Sequence, residues 1–527
     1  MSSGQLSTSG KVVRNTFFNS LGMVWNGAIA FFTTPYMLHR LGDERYGLLG
    51  ISVAVTGYAY LLDFSIGQTF IRHFAEYNAH GDTRRMNQAL NTTFAFYALV
   101  GGAAAAAAFA LAGPLLGALQ VPPQLHSEAR FVIILSMITF ALTSLFNVFS
   151  ILQSGLQKLD VANKIAIYIS IPQTAALFYV LESGFGLYGL MWRAAFFSLV
   201  YSAVNIWMAY RIFPELKVSW EYVDKALLKT FLSFGLKLHV ARISGIITGQ
   251  TDRIFIGLFL SLAAVTSFQL GNTLVVTLSS LAGIMVSATT PAFTEIFVRH
   301  GKSSVIEAYL AVTKYLACFT VPAFALMMLS SGLLLRMWVG PGYPGAAIIA
   351  VVLSVGWLFN MLSQAGVSVC QSMDRPQLMA ASSVLNMALN IGLNILFIAV
   401  FRERGIAWGT TLGMVASSCY FWFMLHRGLN MPFAGLFRAV VPFLEGAVVA
   451  ALPVFAIDAV TSSFAASSGR PGAIFLLVLR TLVFGAVYLL WLARRKTFPP
   501  QEIDFLCSKL ATLPCVGRLA CLRRGGA

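Results

Sequence analysis

Charged residues are scarce in this sequence. Asp, Glu, Lys and Arg make up 11% of its 527 residues, whereas hydrophobic residues make up 57%. Soluble proteins carry roughly a quarter charged residues, so this composition excludes a chain built of soluble domains. Apolar stretches of about 20 residues, long enough to cross a bilayer, recur from Thr16 almost to the C-terminus. We therefore expect an all-α polytopic membrane protein with about 14 transmembrane helices.

Acidic residues, cysteine frameworks and catalytic motifs are scarce as well. The 36 Lys and Arg outnumber the 20 Asp and Glu, but they lie mostly in short loops and in the tail, which is typical of membrane topology rather than of nucleic-acid binding. The 6 cysteines lack metal-ligand spacing and are expected to be free thiols. The sequence contains no G-x-S-x-G, Walker A or H-E-x-x-H motif. No enzyme, cofactor, metal site or nucleic-acid partner is therefore expected.

Basic residues distinguish the two sides of the membrane. When loops are assigned alternately to the two sides, Lys and Arg favour one side by roughly three to one. The positive-inside rule then places both termini in the cytoplasm and supports an even number of spans.

Two segments about 220 residues apart resemble each other, and this spacing indicates an internal repeat. Gly184–Gly189 and Arg404–Gly409 each begin an apolar helix. Because six helices return the chain to its starting side, we expect two six-helix lobes related by a pseudo-twofold axis along the membrane normal. Chance similarity between apolar helices is the alternative. The predicted parts are an N-terminal lobe (1–211), a cytoplasmic linker (212–230), a C-terminal lobe (231–427), two extra helices (438–494) and a basic cytoplasmic tail (495–527).

Polar side chains recur at helical spacing in several spans, including a continuous second span over 47–71. One-sided polar stripes are typical of helices that line a hydrated cavity. The residues predicted to line it are Asn19, Asn26, Thr56, Gln269, Thr273 and Asn390. The alternative is that such residues form hydrogen bonds between packed helices, and for Asn390 the two interpretations are equally supported.

Cations in the first and seventh spans predict an anionic cargo. Lys237, Arg242 and Arg253 outnumber Asp252 in the seventh span, and a guanidinium grips a phosphate through two parallel hydrogen bonds. We therefore predict a cationic cavity formed by Arg14, Lys237, Arg242 and Arg253. The alternatives are a structural Asp252–Arg253 pair near the membrane face and, for Arg14, a topology signal.

Acidic groups inside spans are candidates for ion coupling or gating. Asp63 is an isolated carboxylate in an apolar helix, so it is predicted, with Asp252, to exchange protons or bind a cation. A pair between Asp63 and an arginine is the alternative. Arg72, Glu76 and Glu295 are the candidates for a cytoplasmic gate. Glu445 and Arg480, on the last two helices, are expected to pair with each other.

Several motifs resemble those of Wzx-type polysaccharide flippases. They are Arg14-Asn15-Thr16, Leu41-Gly42-Asp43-Glu44-Arg45-Tyr46-Gly47, Leu61-Leu62-Asp63-Phe64-Ser65-Ile66-Gly67, Glu76-Tyr77 and Thr251-Asp252-Arg253-Ile254-Phe255-Ile256-Gly257. That family belongs to a superfamily with multidrug and toxin extrusion antiporters and the peptidoglycan lipid flippase. The resemblance implies two lobes with alternating access, a cationic central cavity and an undecaprenyl-pyrophosphate-linked glycan as the substrate.

These expectations place the protein in a bacterial inner membrane. Its partners would be a lipid-linked glycan, membrane lipids and, in the same process, a polysaccharide polymerase or export machinery. An ion-coupled exporter of small amphipathic or cationic molecules is the alternative, and it would line its cavity with excess Asp and Glu. A membrane scaffold without transport is a third interpretation, under which Asp63, Arg242 and Arg253 would be replaceable.

Overall fold

The protein is a bundle of long helices. The computed structural model describes residues 8–499 apart from 157, 288 and 468, and in parts of some helices it describes only the backbone. The described residues form 15 α-helices. These are Thr8–Leu41 (α1), Asp43–Ala59 (α2), Ile66–Ala79 (α3), Thr83–Ala118 (α4), His126–Gly155 (α5), Leu159–Glu182 (α6), Gly186–Ile212 (α7), Lys225–Phe259 (α8), Leu262–Ser287 (α9), Thr289–Trp338 (α10), Pro344–Ser372 (α11), Pro376–Phe401 (α12), Glu403–Leu429 (α13), Phe433–Ser467 (α14) and Gly469–Arg494 (α15).

The helices account for the predicted number of spans. Among the described residues, 10 stretches are long and apolar enough to cross a membrane, and one of them joins α9 to α10. Counting α9 and α10 separately, and adding the long helices α1, α8 and α13, brings the number to 14. The polytopic all-α fold is confirmed.

The predicted second span is not continuous. After α2 the chain makes a short 3₁₀ turn, Tyr60–Asp63, and then passes through Phe64 (φ 46°) and Ser65 (φ 54°) before α3 begins. Two successive non-glycine residues in the left-handed region are uncommon and require support from their surroundings. The prediction of one helix over 47–71 is wrong here, because that support comes from a distant part of the chain.

Two glycines mark corners at similar places in the two halves of the chain. Gly81 (φ 68°) follows α3, and Gly301 (φ 77°) bends α10 220 residues later. Positive φ costs glycine little because it has no Cβ. In both halves of the chain, then, a short helical segment is followed by a corner that only glycine adopts readily.

Two groups of helices can be distinguished by their contacts. In the first group α1 to α7 pack on one another, and in the second group α9 to α13 do so. The helix α8 contacts both groups: Phe231 in its early turns lies in a core with Phe70 and Phe74, whereas its later turns pack against α12 and α13. Because α8 begins at Lys225, inside the predicted linker 212–230, the exact division of the chain stays a prediction.

The last two helices attach to the outside of the second group. α14 and α15 pack on each other and on α10. Arg480 forms an ion pair with Asp458 and donates to the backbone oxygen of Leu329, whereas Glu445 pairs with Arg495. The expected Glu445–Arg480 pair is therefore wrong, since helical spacing does not tell which faces of two antiparallel helices meet.

The bundle has two ends that differ in charge. One end carries Gly81, Lys158, Gly301, Arg375 and Arg427 and is called the basic end. The other carries the connections after α1, α4, α6, α10 and α12 and is called the opposite end.

Candidate functional site

The two helix groups are joined at the opposite end. Thr266 Oγ1 of α9 donates to the backbone oxygen of Asp43 at 2.6 Å, and Tyr343 Oη donates to Asp43 Oδ1 at 2.5 Å. Trp338 Nε1, at the end of α10, donates to the backbone oxygen of Phe31 at 2.6 Å. These hydrogen bonds close the opposite end of the space between the groups.

Three glycines on one face of α2 allow this close approach. Gly47, Gly50 and Gly57 are separated by 3 and 7 residues, so they lie on one side of the helix. A Cβ at Gly47 would overlap the backbone oxygen of Leu262, and a Cβ at Gly50 or Gly57 would overlap Gln269 or Gln250. The absent side chains therefore set the distance between α2 and helices α8 and α9.

The break between α2 and α3 is held by a histidine of α8. His239 is buried, and its Nε2 lies 2.9 Å from the backbone oxygen of Leu61. Because a carbonyl oxygen only accepts, Nε2 carries a proton, and in the neutral ring Nδ1 then accepts from the Ser65 hydroxyl at 3.2 Å. Gly235 of α8 packs against the backbone oxygen of Phe64. The strained corner of the first group is thus stabilised by contacts from α8.

An ion pair at this corner also connects α8 to the first group. Arg242 Nη1 lies 2.6 Å from Asp63 Oδ2, with side chains 38% and 13% exposed. The other carboxylate oxygen of Asp63 accepts a hydrogen bond from the Tyr97 hydroxyl of α4. Both predicted residues therefore meet at one place, and the pair with an arginine, foreseen as an alternative for Asp63, is present.

A cavity with polar and apolar lining residues lies beside this pair. Its volume is about 270 Å³, and it lies between the α2–α3 corner, α4, α5 and α8. Its polar lining residues are Tyr60, Asp63, Gln68, Tyr97, Ser144, Asn147 and Arg242. Neutral hydrogen-bonding groups surround one acid and one base that are already paired. These polar groups offer hydrogen bonds to a hydroxylated or charged part of a ligand.

A second cluster is buried around Asp252 in the second group. Its carboxylate accepts hydrogen bonds from Asn394 Nδ2 at 2.7 Å, Thr410 Oγ1 at 3.0 Å and Asn390 Nδ2 at 3.3 Å. All four side chains are buried. The side-chain oxygens of Asn390 and Asn394 have no hydrogen-bond partner among the described residues. A carboxylate surrounded by neutral donors and unpartnered amide oxygens offers the oxygen ligands that hard cations prefer.

The other cationic candidates are less closely associated with the cavity. Arg253 is partly buried, and its Nη1 donates to Gln250 Oε1 at 2.9 Å. Arg253 follows Arg242 by 11 residues on α8, which places them about 16 Å apart along the helix. The side chains of Arg14 and Asn19 on α1, and of Lys237 on α8, lie outside the described residues.

The remaining stripe residues have local hydrogen bonds or solvent exposure. Thr56 Oγ1 donates to the backbone oxygen of Ser52 at 2.8 Å, and Thr273 Oγ1 donates to that of Gln269 at 2.7 Å. Gln269 Oε1 is buried without a partner among the described residues, whereas Asn26 is exposed on α1. Of these residues, Gln269 lies at the contact between the two groups, next to Gly50 of α2.

The gate candidates lie near the basic end. Arg72 is exposed, with its guanidinium 4.7 Å from the centre of the Phe234 ring of α8. Glu76 lies 3.5 Å from His73 in the same helix, and Glu295 lies 3.0 Å from Arg299. Glu76 precedes Gly81 and Glu295 precedes Gly301, so the two acids occupy similar places in the repeat.

Sequence reasoning missed several residues of the site. Tyr97 lies on α4, and Ser144 and Asn147 lie on α5. Asn147 belongs to a polar stripe on α5, formed with Ser136, Thr139, Thr143 and Ser150, that the sequence analysis did not use. Thr410 was missed because its role depends on contact with Asp252, 158 residues earlier. The usable signal was the spacing of three or four residues between the polar side chains of α5.

Two proteins are similar to this chain in sequence. A protein of Shigella flexneri, provisionally named an O-antigen transporter, is 22% identical over 373 residues, which is 70% of this chain and 87% of that protein. An uncharacterized membrane protein of Methanocaldococcus jannaschii is 23% identical over 204 residues, 38% of this chain and 40% of that protein.

Solved structures share the fold. The lipid II flippase MurJ in an inward closed conformation superposes with a TM-score of 0.66 at 13% identity, covering 91% of this chain and 97% of that one. An inward-facing multidrug resistance transporter of the MATE family superposes with a TM-score of 0.58 at 13% identity, covering 79% and 94%. Residues 12–297, more than half of the chain, match the family of polysaccharide biosynthesis proteins. The family resemblance expected from the sequence is confirmed, and the chain belongs to the polysaccharide biosynthesis protein family.

Proposed function

We propose that this protein is a flippase that moves an undecaprenyl-pyrophosphate-linked oligosaccharide or polysaccharide repeat unit across a bacterial inner membrane by alternating access. The basic end faces the cytoplasm, in keeping with the positive-inside rule. Family membership, the O-antigen transporter relative and the fold shared with a lipid II flippase support this proposal. The observation that carries it is the Asp63–Arg242 ion pair, which connects α8 to the first helix group beside a cavity with several hydrogen-bonding side chains.

The pyrophosphate competes with Asp63 for Arg242. The guanidinium is partly exposed, so a ligand phosphate can reach it, and a phosphate accepts two parallel hydrogen bonds from it as a carboxylate does. Arg253 is about 16 Å away along α8, further than one pyrophosphate extends, so Arg242 is the primary phosphate contact. Two further cations add positive charge: Arg14 in α1 and Lys237 in α8, the helix that carries Arg242.

Exchange of partners at Arg242 changes the balance between conformations. While Asp63 holds Arg242, the corner between α2 and α3 is fixed to α8. A ligand phosphate that binds Arg242 in place of Asp63 removes this contact. It therefore favours a conformation in which the α2–α3 corner and α8 have separated. The saccharide then lies along hydrogen-bonding groups such as Gln68 and Asn147, while the lipid tail stays in the bilayer.

A cation bound at Asp252 couples transport to an ion gradient. The buried carboxylate has only neutral donors around it apart from the neighbouring Arg253, whose guanidinium donates to Gln250. A proton or a monovalent cation would neutralise the carboxylate. Rotation of the Asn390 or Asn394 amide would then present an oxygen in place of the nitrogen.

The alternative is an ion-coupled exporter of small amphipathic or cationic molecules. The fold shared with a multidrug resistance transporter favours it. The charges of the cavity do not, because its one lining acid, Asp63, is already paired with Arg242 and Tyr97. A cationic solute would need a carboxylate without such partners.

Flipping of a fluorescent undecaprenyl-pyrophosphate saccharide in proteoliposomes tests the proposal. The intact protein is compared with Arg242→Gln and with Arg84→Gln, which removes an exposed cation from the basic end. Loss of a charge-assisted phosphate contact of about 1.5–3 kcal/mol slows flipping by roughly 10-fold to 100-fold in Arg242→Gln, whereas Arg84→Gln retains the original rate. Absence of flipping by the intact protein, together with efflux of a cationic dye, would support the exporter instead.

Coupling is tested separately with an imposed gradient. Flipping by the intact protein is measured with and without an inward gradient of Na⁺ or of protons. Asp252→Asn keeps the size and shape of the side chain but removes its charge and replaces one acceptor oxygen by an NH₂ donor, so we expect it to abolish the response to the gradient. An unchanged response in Asp252→Asn would exclude Asp252 as the coupling site, and it would leave the flippase proposal standing.

A further inference from the structure

A proline in α1 leaves one backbone oxygen without its usual partner. In an α-helix, each carbonyl oxygen accepts a hydrogen bond from the N–H group four residues later. Pro35 lies inside α1, four residues after Phe31, and proline has no N–H group. The backbone oxygen of Phe31 therefore needs a donor from another part of the chain.

Trp338, the last residue of α10, supplies that donor. Its Nε1 donates to the backbone oxygen of Phe31 at 2.6 Å. The two aromatic rings are stacked, with centroids 4.9 Å apart and an angle of 12° between their planes. An indole nitrogen can only donate, so a carbonyl oxygen without an N–H partner suits it. The stacked rings also limit the orientation of the indole to one that allows this hydrogen bond.

The contact lies in an apolar core at the opposite end. Trp338 is 6% exposed and shares this core with Leu38, Leu270 and Leu335, and Phe31 packs against it. A carbonyl oxygen that is buried among apolar side chains without a donor costs free energy. While the core is closed, the Phe31 oxygen therefore depends on Trp338.

The two partners belong to the two helix groups. α1 packs in the first group, and α10 packs in the second. Opening of the opposite end would move Trp338 away from Phe31 and would let water reach the freed oxygen. The hydrogen bond between Tyr343 and Asp43 at the same end is exposed, so water can replace it at lower cost. The Trp338–Phe31 contact is therefore the one that distinguishes the closed form most strongly.

A similar arrangement occurs at Pro322, but it does not join the two groups. Pro322 lies four residues after Cys318 in α10, and the Tyr488 hydroxyl of α15 donates to the backbone oxygen of Cys318 at 3.2 Å. Helices in a membrane tolerate proline where a neighbouring helix satisfies the freed oxygen. Because α15 packs on α10, outside the contact between the groups, this hydrogen bond provides a matched control.

We propose that the Trp338–Phe31 contact is a latch that stabilises the conformation closed at the opposite end, and that Pro35 creates the free oxygen on which the latch depends. Trp338 and Pro35 act here as positioning residues and not as ligand contacts. This proposal rests on the alternating access proposed above, but it does not depend on which molecule is transported.

Distances between the two helix groups test the latch without any substrate. Spin labels are attached through Gln124→Cys and Arg404→Cys, at two exposed positions on the opposite end of the first and second groups. The 6 native cysteines are replaced by alanine. Double electron–electron resonance of the full-length protein in nanodiscs then gives the ratio of the long-distance, open population to the short-distance, closed population.

Trp338→Phe keeps an aromatic ring in the stack but removes the donor. We expect the ratio of open to closed populations to rise by at least about 5-fold, because the Phe31 oxygen is left buried without a partner only in the closed form. Tyr488→Phe removes the same kind of donor from the Cys318 oxygen. It should lower the thermal stability and leave the ratio unchanged.

Pro35→Ala separates the hydrogen bond from simple packing. It restores an N–H group four residues after Phe31, so the oxygen no longer depends on Trp338. In this background, Trp338→Phe should change the ratio by less than about 2-fold. An equal change with and without Pro35→Ala would show that Trp338 acts only through packing, and an unchanged ratio in Trp338→Phe alone would show that the contact does not hold the closed form. Either result would overturn the proposal, whereas absence of flipping by the intact protein would affect only the proposed function.

Discussion

The Asp63–Arg242 pair should contribute measurably to the stability of the observed conformation. Two unit charges about 4 Å apart attract by roughly 4 kcal/mol at an effective dielectric constant of about 20. Solvent reduces this value, because the Arg242 side chain is 38% exposed. With desolvation also offsetting part of the attraction, we expect a net coupling of about 1–2 kcal/mol.

A double-mutant cycle measures that coupling. The free energy of unfolding of the detergent-solubilised protein is compared for Asp63→Asn, Arg242→Gln and the double variant. Each single change should cost about 1–3 kcal/mol, since it leaves the other partly buried charge without its partner. The double change should cost about 1–2 kcal/mol less than the sum of the two.

Arg72→Gln is the matched control. Arg72 is exposed and lies over the Phe234 ring, so its loss should change stability by less than about 1 kcal/mol and show no coupling to Asp63→Asn. Additive effects of Asp63→Asn and Arg242→Gln would refute the reasoning, because they would show that the two groups are adjacent without interacting. The proposed exchange of Arg242 between Asp63 and a pyrophosphate would then lose its basis.

Two further predictions concern packing and the outer helices. Gly47→Ala should cost about 1–3 kcal/mol of unfolding free energy because its methyl group would overlap the backbone of α9. Gly245→Ala, which has open space around it, should be neutral or stabilising by up to about 1 kcal/mol. Equal effects of the two substitutions would show that the helix groups are not held at the observed distance. Arg480→Gln should cost about 3–5 kcal/mol of unfolding free energy because its ion pair with Asp458 of α14 is largely buried. Arg495→Gln, whose side chain is 51% exposed, should cost less than about 1 kcal/mol. Chemical unfolding that gives the reverse order would contradict the structure.

The sequence was informative about what depends on periodicity and composition. Apolar stretches gave the number and order of helices, because each helix in lipid satisfies its own backbone hydrogen bonds. Asp63 and Arg242, both selected from the sequence as candidate site residues, form an ion pair. Their pairing joins residues 179 positions apart, which spacing along a single helix does not encode.

Contacts between residues far apart in the sequence determine the features that the sequence analysis did not predict. The corner at Phe64 and Ser65 contains no glycine or proline in the left-handed positions, so local propensity favours a continuous helix. The break is stabilised instead by His239 of α8, which forms hydrogen bonds with Leu61 and Ser65. Asn390 similarly gave two equally supported interpretations, and its hydrogen bond to Asp252 depends on the packing of α12 against α8.

The position of α8 has a consequence for how the chain can be divided. The loop before α8 looks like a natural boundary, yet a cut there leaves Phe231 on the second fragment while its core partners Phe70 and Phe74 remain on the first. The first fragment alone would expose an apolar cavity, and the second would expose the aromatic side chain that fills it. Two fragments expressed together should therefore find each other through this one helical segment, and neither should be stable when expressed alone.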